Sequence, residues 1–414
     1  MTHHHVAIVG GGLAGLTCAR GLEAHGLRCT VLEAADHFGG RVRTEIVDGF
    51  RIDRGFQVLL TAYPEARRLL DYDRLRLRPF FPGAIIVRHG RMATLADPWR
   101  RPFTGVVSVL RGTVGVLDGL RMARLRARVG RHAPTGRPRG PELTTRQRLE
   151  REGFSSALIS TFFRPFFGGV FLDTDLETSE RQLEFVFRMF SRGAIAVPAL
   201  GMGEIPTQLA AGLHRTEIRT NTPVAAASAH RVELTDGVHI EADAVVIATD
   251  ADTARSFDAE IDRTRWRSVT CLSFAADRPP IRGPYLVLNG DGDGPVNNLS
   301  VTSEVAPETA PDARALVSAT VVGVTDDDAI EIAVRRQLKG WFGEQERSWR
   351  LLRIDAIRRA LPDQSPPQTG PRATRLRSGL FVCGDHRHDG SINGAMASGR
   401  AAADAVAADL RQAP

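Results

Sequence analysis

The sequence is poor in lysine. Lys and Arg together number 54, yet Lys339 is the only lysine, so arginine carries almost all of the positive charge. Chemistry that needs a lysine amine in a site is therefore excluded unless Lys339 turns inward. The formal net charge of +6 leaves two explanations open: the base composition of the lineage, or an anionic partner such as a membrane surface. We expect no nucleic-acid partner.

Cysteine and long apolar runs are also scarce. The four cysteines lie far apart with no Cys-x-x-Cys pair, which argues against a zinc site or a disulfide framework. We therefore expect no metal and a reducing, cytoplasmic location. No run approaches the ~20 apolar residues that span a bilayer, and the apolar start lacks the basic flank of a signal peptide.

The first forty residues follow a strand, helix and strand order. Val6–Val9 predicts a buried strand, a helix is predicted from Leu13 to His25, and a second strand over Arg28–Leu32. The glycines between the first strand and the helix fit G-x-G-x-x-G, which lets the backbone approach a pyrophosphate at the helix N-terminus. Glu33 ends the second strand, where an acid can accept hydrogen bonds from ribose hydroxyls. The predicted dinucleotide contacts are Gly10, Gly12, Leu13, Ala14, Gly15, Glu33 and Ala34.

The next segment, "DHFGGRVRTE", separates the possible dinucleotides. Gly39 and Gly40 precede Arg41, and Arg43 follows, so two arginines lie beside a glycine turn and can neutralise a pyrophosphate. An acid-ended second strand followed by a Gly-Gly-Arg element resembles the flavin-containing amine oxidase superfamily. The resemblance implies bound FAD, with Gly40 and Arg41 among its contacts. Within that superfamily the chain is most similar to the phytoene desaturase and protoporphyrinogen oxidase branches.

Residues 379–410 agree with this resemblance. Leu380–Cys383 predicts a short buried strand, and an alanine-rich helix is predicted from Ser391 to about Leu410. The order is similar to the superfamily's second FAD motif. By that resemblance Asp385 hydrogen-bonds the ribityl or pyrophosphate region, and the amides of residues 392–394 face the flavin pyrimidine, where a helix N-terminus favours hydride acceptance at N5. The implied contacts are Gly384, Asp385, Ser391, Ile392, Asn393 and Ala395.

Residues 220–250 supply a third element. Asp236-Gly237 lies between Arg231–Thr235 and Val238–Glu241 and predicts a hairpin. Ala244–Ala248 predicts a buried strand that returns to the same sheet. Val224 falls where the superfamily places a valine against the adenine, so the resemblance implies that contact here.

Because these elements are spread along the chain, the predicted fold is α/β with a discontinuous domain. A Rossmann-like FAD-binding domain of the glutathione-reductase type is expected over residues 1–60, 195–250 and 375–414. An inserted α+β substrate domain is expected over 61–194 and 251–374. Within it the sequence predicts strands at 285–288, 299–302 and 316–322, a helix at 327–342 and a linker loop at 361–371.

Residues 111–151 form a basic helical and loop segment, which is rich in arginine and has no acid between Arg121 and Gly140. A helix here can place one apolar stripe, formed by Leu117, Leu120, Met122 and Leu125, beside a basic face. Two interpretations stay open. One is peripheral membrane contact, which suits a lipid-soluble substrate; the other is an exposed lid with solvated charges.

The segment 153–179 is dense in phenylalanine. Aromatic rings form apolar walls suited to a flat or elongated ligand, and a plain hydrophobic core is the alternative explanation. The candidate substrate contacts are Phe166, Phe167, Met202 and His386. His386 can move a proton, bind a carboxylate or be an ordinary loop histidine. No catalytic residue is assigned.

These features predict an FAD-dependent oxidoreductase, an oxidase or desaturase, that takes a hydride from a largely apolar substrate onto flavin N5. No cysteine stands where monoamine oxidases attach their flavin, so non-covalent FAD is expected. One alternative is a flavin amine oxidase that makes an imine and hydrogen peroxide. This alternative is weakened because Lys339 is the only lysine available to such a site. Another is a non-redox isoprenoid-binding protein on the same scaffold. The presence of the predicted FAD contacts Glu33, Arg41 and Asp385 argues against this alternative. The electron acceptor and the oligomeric state are not predicted.

Overall fold

The computed structural model describes residues 4–97, 99–100, 115–131, 141–324 and 329–412. Its strands, in chain order, are β1 (His5–Val9), β2 (Arg28–Leu32), β3 (Thr44–Val47), β4 (Phe50–Asp53), β5 (Leu59–Leu60), β6 (Arg78–Pro79), β7 (Gly83–Arg88), β8 (Arg91–Ala96), β9 (Ile195–Val197), β10 (Thr216–Arg219), β11 (Val224–Ala227), β12 (Arg231–Leu234), β13 (His239–Glu241), β14 (Ala244–Ile247), β15 (Trp266–Ala276), β16 (Leu286–Asn289), β17 (Val296–Val301), β18 (Ala315–Val322), β19 (Arg350–Pro362), β20 (Arg375–Arg377) and β21 (Leu380–Val382).

The helices lie between these strands. In chain order they are α1 (Leu13–Ala24), α2 (Pro64–Leu69), α3 (Tyr72–Leu75), α4 (Val116–Arg131), α5 (Thr145–Arg151), α6 (Ser156–Leu158), α7 (Arg164–Phe171), α8 (Glu180–Arg192), α9 (Glu204–Ala211), α10 (Ala251–Phe257), α11 (Thr302–Val305), α12 (Ile330–Phe342) and α13 (Ile392–Gln412). A π-helical turn over Ile159–Phe163 joins α6 to α7. Within the described ranges, no helix is both long and apolar enough to cross a bilayer.

A six-stranded sheet has the order β10-β2-β1-β14-β21-β20. All neighbouring strands are parallel except β20, which runs antiparallel to β21. The central strands β1, β14 and β21 are almost wholly buried, as their continuous apolar sequences predict for a sheet covered on both faces. The strands predicted near residues 6, 28, 244 and 380, and the hairpin at Asp236-Gly237, are confirmed.

Helices α1 and α13 pack against each other in the layer beside this sheet. A Cβ on Gly399 would lie 2.2 Å from the carbonyl oxygen of Ala14, and one on Gly21 would lie 2.6 Å from Cβ of Ala403. Since real side chains do not approach so closely, glycine at these positions is what lets the two helices meet. The first and last helices of the described chain are thereby held together at the sheet.

A seven-stranded sheet has the order β19-β15-β18-β17-β16-β7-β8. Strands β16, β17 and β18 confirm the predicted strands, with boundaries shifted by a few residues, and α12 confirms the predicted helix from residue 330 onward; residues 327 and 328 lie outside the described ranges. The predicted loop at 361–371 is wrong at its start, because β19 continues to Pro362. The exposed arginines Arg350, Arg358 and Arg359 lie on this edge strand, and charged side chains of this kind protect sheet edges. The two sheets draw on different ranges of the chain, and the domain boundaries stay a prediction.

The basic segment contains the helix α4, and its residues 111–114 and 132–140 lie outside the described ranges. The prediction of a single apolar stripe is wrong. Leu125 is buried and Met122 half-buried against the protein, whereas Leu117 and Leu120 are 65% and 63% exposed. At 3.6 residues per turn these four positions spread over more than one face of the helix. Helix α4 therefore has an inner apolar face and a separate outer one.

Candidate functional site

The turn between β1 and α1 is shaped by its glycines. Gly10 has a φ of +111° and donates its N–H to the carbonyl of Leu32 at 2.8 Å. A Cβ on Gly15 would lie 2.0 Å from the Gly10 carbonyl oxygen, so this position accepts no side chain. At Gly12, by contrast, a Cβ would meet no atom within 4 Å, and α1 begins there without a side-chain cap. The first amides of α1, those of Leu13 and Ala14, therefore lie beside open space suited to an anion.

Glu33 is fixed beside this turn at the end of β2. Its Oε2 accepts the N–H of Gly11 at 2.7 Å and its Oε1 accepts the N–H of Ala35 at 2.9 Å, while Ala34 between them is exposed. Each carboxylate oxygen has a further lone pair that can accept a hydroxyl. The segment before Val224 runs alongside, because Thr222 donates its N–H to the Glu33 carbonyl at 2.8 Å. The structure thus brings Val224 to the acid-ended strand, as an adenine contact requires.

The Gly-Gly-Arg element and the second predicted motif meet in space. Arg41 Nη2 donates to Asp385 Oδ1 at 2.7 Å, although 344 residues separate the two in sequence. Arg41 also donates to the carbonyl of Ala360 at 2.9 Å. Gly40 lies against Gly12, since a Cβ on Gly40 would be 3.4 Å from the Gly12 Cα. Arg41 is therefore held at the glycine turn with part of its charge balanced by a buried carboxylate.

The start of α13 is held by its own side chains. Ser391 Oγ accepts the N–H of Gly394 at 2.9 Å, and Asn393 Oδ1 accepts the N–H of Glu65 at 3.2 Å. The Asn393 side chain therefore anchors α2 through its oxygen. Ile392 and Ala395 are half-buried beside it. Upstream, Gly384 donates its N–H to Ser398 Oγ at 3.1 Å, which ties the turn after β21 to α13.

His386 is buried behind this turn. Burial lowers its pKa to about 4, so the ring is neutral at pH 7. Both ring nitrogens are enclosed and make no hydrogen bond within the described part of the chain. An ion pair with a substrate carboxylate would require a protonated ring. Both suggested roles of His386, moving a proton and binding a carboxylate, stay predictions.

The open turn at Gly12, the carboxylate at Glu33, the arginine at the glycine turn and the N-terminus of α13 fit an FAD molecule. The glycine turn fits its pyrophosphate, Glu33 fits its ribose, and the first amides of α13 fit its ring end. The individual contacts of these residues with FAD stay predictions. When bound, FAD supplies the chemistry of accepting a hydride equivalent.

A small polar chamber lies next to the β3–β4 hairpin. It has a volume of about 20 Å³, and its wall includes Asp53, Gln57, Ser273 and Ser318. Asp53 Oδ1 accepts the hydroxyl of Thr44 at 2.5 Å and the N–H of Met202 at 2.8 Å. Burial raises the pKa of Asp53 to about 6, against these two hydrogen bonds, which lower it.

Sequence reasoning missed Asp53. The signal that could have found it is Asp48-Gly49, a turn dipeptide between the apolar residues Val47 and Phe50. This dipeptide indicates the hairpin that places Thr44 opposite Asp53. Met202 is fully buried and reaches Asp53 through its backbone rather than its side chain.

A much larger cavity, which we name the apolar tunnel, lies beyond Phe80. It has a volume of about 220 Å³, and its largely apolar wall includes the rings of Phe80, Phe162, Phe163, Phe166, Phe167 and Phe190. Phe166 and Phe167 thus both lie on its wall, as predicted for substrate contacts, although Phe167 is only 1% exposed and belongs equally to the core. Phe80 lines both the polar chamber and the apolar tunnel.

Lys339, the sole lysine, lines neither the polar chamber nor the apolar tunnel. It lies in the last turn of α12, is 44% exposed and pairs with Glu344 at 3.0 Å. Neither the chamber nor the tunnel has a lysine in its wall. The prediction that Lys339 lies on a surface helix is confirmed.

Comparison with known proteins agrees with this geometry. The family profile "Flavin containing amine oxidoreductase" matches residues 13–407. A carotenoid phi-ring synthase of Streptomyces griseus is 29% identical over 398 residues, covering 84% of this chain and 75% of the relative. A coproporphyrinogen III oxidase of Propionibacterium freudenreichii subsp. freudenreichii is 38% identical over 82 residues, which is 20% of this chain and only 16% of the relative.

Solved structures show the same fold. Cyclohexylamine oxidase from Brevibacterium oxydans IH-35A superposes with a TM-score of 0.68 at 18% identity, covering 99% of this chain and 100% of that one. At this identity the likeness establishes the fold. The family profile, which spans nearly the whole chain, establishes more. The chain belongs to the flavin-containing amine oxidoreductase family and is an FAD-dependent oxidoreductase that acts on a small-molecule substrate.

Proposed function

We propose that the protein dehydrogenates an elongated, largely apolar substrate, as an oxidase or desaturase. The observation that carries this proposal is the apolar tunnel, whose largely apolar wall is rich in aromatic rings and which shares Phe80 with the polar chamber. Such a cavity favours a ligand that buries apolar surface, at roughly 25 cal/mol per Å². The similarity to a carotenoid phi-ring synthase over most of that relative supports a substrate of this kind.

The charges in the tunnel argue against an amine substrate. The two carboxylates among the described residues of its wall already have arginine partners: Asp97 lies 3.2 Å from Arg126, and Asp118 lies 3.0 Å from Arg121. An ammonium group buried there would lack a free counter-charge, which is costly in an apolar cavity. The absence of lysine from both cavity walls removes a further feature of typical amine oxidases.

The test is anaerobic reduction of the bound flavin, followed by its loss of absorbance. We expect polyenes or porphyrinogens to reduce it and simple amines to leave it oxidised. Fast reduction by simple amines, with no reduction by apolar compounds, would replace this proposal with the amine oxidase alternative.

We also propose that the outer face of α4 rests on an anionic lipid surface. Leu117 and Leu120 are exposed there, and Arg124 is exposed on the same helix. Inner residues of α4, such as Met122, line the apolar tunnel, so this surface is next to the cavity. An apolar face with arginines beside it matches anionic headgroups over acyl chains.

Co-sedimentation with vesicles of phosphatidylglycerol and phosphatidylcholine tests this contact. The double change Leu117→Ser and Leu120→Ser should weaken binding about tenfold or more, because two leucines no longer leave water. Ile332→Ser is the matched control, since Ile332 is 62% exposed on α12. Wild-type protein that ignores the vesicles, or equal weakening in the control, would support the exposed-lid interpretation instead.

A further inference from the structure

One ionisable group lies among the described residues that line the polar chamber. Of these side chains, Asp53 alone carries a titratable proton; the other polar side chains, Gln57, Ser273, Thr302 and Ser318, are neutral. The chamber has room for one water molecule or one small group of a ligand. Any proton released there by a reacting molecule therefore has a single side-chain acceptor in the wall.

The two oxygens of Asp53 have different surroundings. Oδ1 is fixed by Thr44 Oγ1 and the N–H of Met202. Oδ2 has no hydrogen-bond partner within the described ranges, and the residue keeps a partly exposed surface although protein surrounds it. The anchored oxygen holds the carboxyl in one orientation, so Oδ2 is the oxygen left open to the chamber.

The chamber adjoins the apolar tunnel. Phe80 lines both cavities and packs edge-on against Phe56, with ring centroids 6.1 Å apart. An apolar molecule in the tunnel can therefore lie against the ring that also bounds the chamber. A change of the Phe80 rotamer is the movement required to join the two spaces.

We propose that Asp53 is a catalytic residue whose Oδ2 accepts the proton that an apolar substrate releases on dehydrogenation. The inference depends on the proposed function above. One C–H bond of the substrate breaks with its electron pair, which leaves as hydride to the bound FAD, the oxidant. A neighbouring C–H bond gives its proton to Asp53 Oδ2, and the electron pair left behind forms the new C=C bond. The carboxylic acid then returns its proton to water.

The chemistry explains why such a group is needed. An amine can form its C=N bond with the nitrogen lone pair, so hydride loss alone oxidises it. A hydrocarbon segment has no lone pair and must lose a proton as well, which requires a base within reach. A carboxylate in the chamber and no lysine in either cavity wall is the arrangement expected for the second case.

The raised pKa of Asp53, about 6, supports this role. At pH 7 the group is still mainly a carboxylate, and it is a stronger base than an exposed aspartate. The groups that face it from the turn and the sheet, Met202, Ser273 and Ser318, carry no charge. Among its charged neighbours in the hairpin, Arg54 lies near Asp355 of β19.

Asp53→Asn tests the assignment in the FAD-loaded protein. The amide keeps an oxygen for Thr44 and Met202 and cannot take a proton. We expect anaerobic flavin reduction by an apolar substrate to slow about 100-fold or more, with FAD content and substrate dissociation constant within about threefold of wild type. Asp258→Asn is the matched control, because Asp258 is a buried carboxylate that pairs with Arg377 away from the chamber.

A second readout does not depend on turnover. In oxidised, FAD-loaded protein without substrate, carboxyl ¹³C NMR should show one aspartate that titrates near pH 6 and is missing in Asp53→Asn. Asp53→Glu, which restores a carboxylate, should recover part of the reduction rate. Wild-type reduction rates in Asp53→Asn, or an Asp53 signal that titrates at the ordinary value near 4, would overturn the role of Asp53 alone. Wild-type protein that no apolar compound reduces would overturn the proposed function, and with it this role.

Discussion

The glycine turn after β1 and the apolar tunnel are built in opposite ways. The turn is fixed by main-chain geometry within a few residues, as the φ of +111° at Gly10 and the closed space at Gly15 show. The tunnel is bounded by side chains from separate segments, such as Phe80, Phe166 and Phe190. A local motif therefore determines the first region, whereas only tertiary packing determines the second. Substitutions in the glycine turn should therefore reduce FAD binding, whereas substitutions in the tunnel wall should reduce stability and substrate affinity.

The largest effect is expected at the glycine turn. Gly15→Ala places a methyl group 2.0 Å from the Gly10 carbonyl oxygen, so the turn must move and the first amides of α1 leave the pyrophosphate. We expect nearly complete loss of FAD, measured as the flavin-to-protein absorbance ratio after gel filtration. Gly340→Ala on α12 is the control, because its Cβ meets nothing within 4 Å. Full FAD content in Gly15→Ala would show that the turn is not the pyrophosphate site.

A smaller but still large effect is expected at the tunnel wall. Phe167→Ala should lower the free energy of unfolding by about 3–5 kcal/mol, because a buried ring is replaced by a cavity. Because Phe166 is only half-buried, Phe166→Ala should lower the free energy of unfolding less than Phe167→Ala does. It should weaken substrate binding more. Denaturant titration and substrate dissociation constants measure the two properties. Unchanged substrate affinity in both variants would show that the two rings belong to the hydrophobic core and do not contact the substrate.

The smallest effect is expected in the pH dependence of stability, to which His386 behind the cofactor site and Asp53 in the chamber contribute with opposite signs. The folded pKa of His386 is lowered to about 4, so the unfolded chain binds more protons and stability falls as pH drops from about 6.5 to 4. The folded pKa of Asp53 is raised to about 6, so the folded protein binds more protons and stability falls as pH rises from about 4 to 6. The two slopes oppose each other in the wild type.

Single variants should expose each slope. Compared with wild type, Asp53→Asn should make stability rise more steeply with pH across this window, and His386→Asn should make it rise less steeply, each by about 2–3 kcal/mol at most. Urea denaturation between pH 4 and 7 measures both. Parallel profiles in the two variants would contradict the assignment of opposite shifts.

The sequence predicts the cofactor region well because its determinants are local. Gly10, Gly12, Gly15 and Glu33 fall within one strand, helix and strand unit, and the structure brings that unit to Asp385 as the second motif implies. What could not be predicted is which side chains of the remaining chain meet. The stripe on α4 failed because its four positions do not share one face at 3.6 residues per turn, and the sequence does not tell which apolar face turns inward.

The chamber could not be predicted for a related reason. Asp53 is one acid among many in the sequence, and its raised pKa arises only when β4, the turn before Met202 and the seven-stranded sheet enclose it. The predicted loop began too early because Leu361 and Pro362 directly precede a proline-rich stretch, and the sequence does not show where β19 ends. Composition does not show the burial that other segments impose.

The contact between Gly399 and Ala14 has a consequence for biosynthesis. Helix α1 is made early by the ribosome, and α13 is the last of the described helices to emerge. The surface of α1 around Ala14 and Gly21 is therefore uncovered through most of translation. We therefore expect tight flavin binding to require α13 in place against α1.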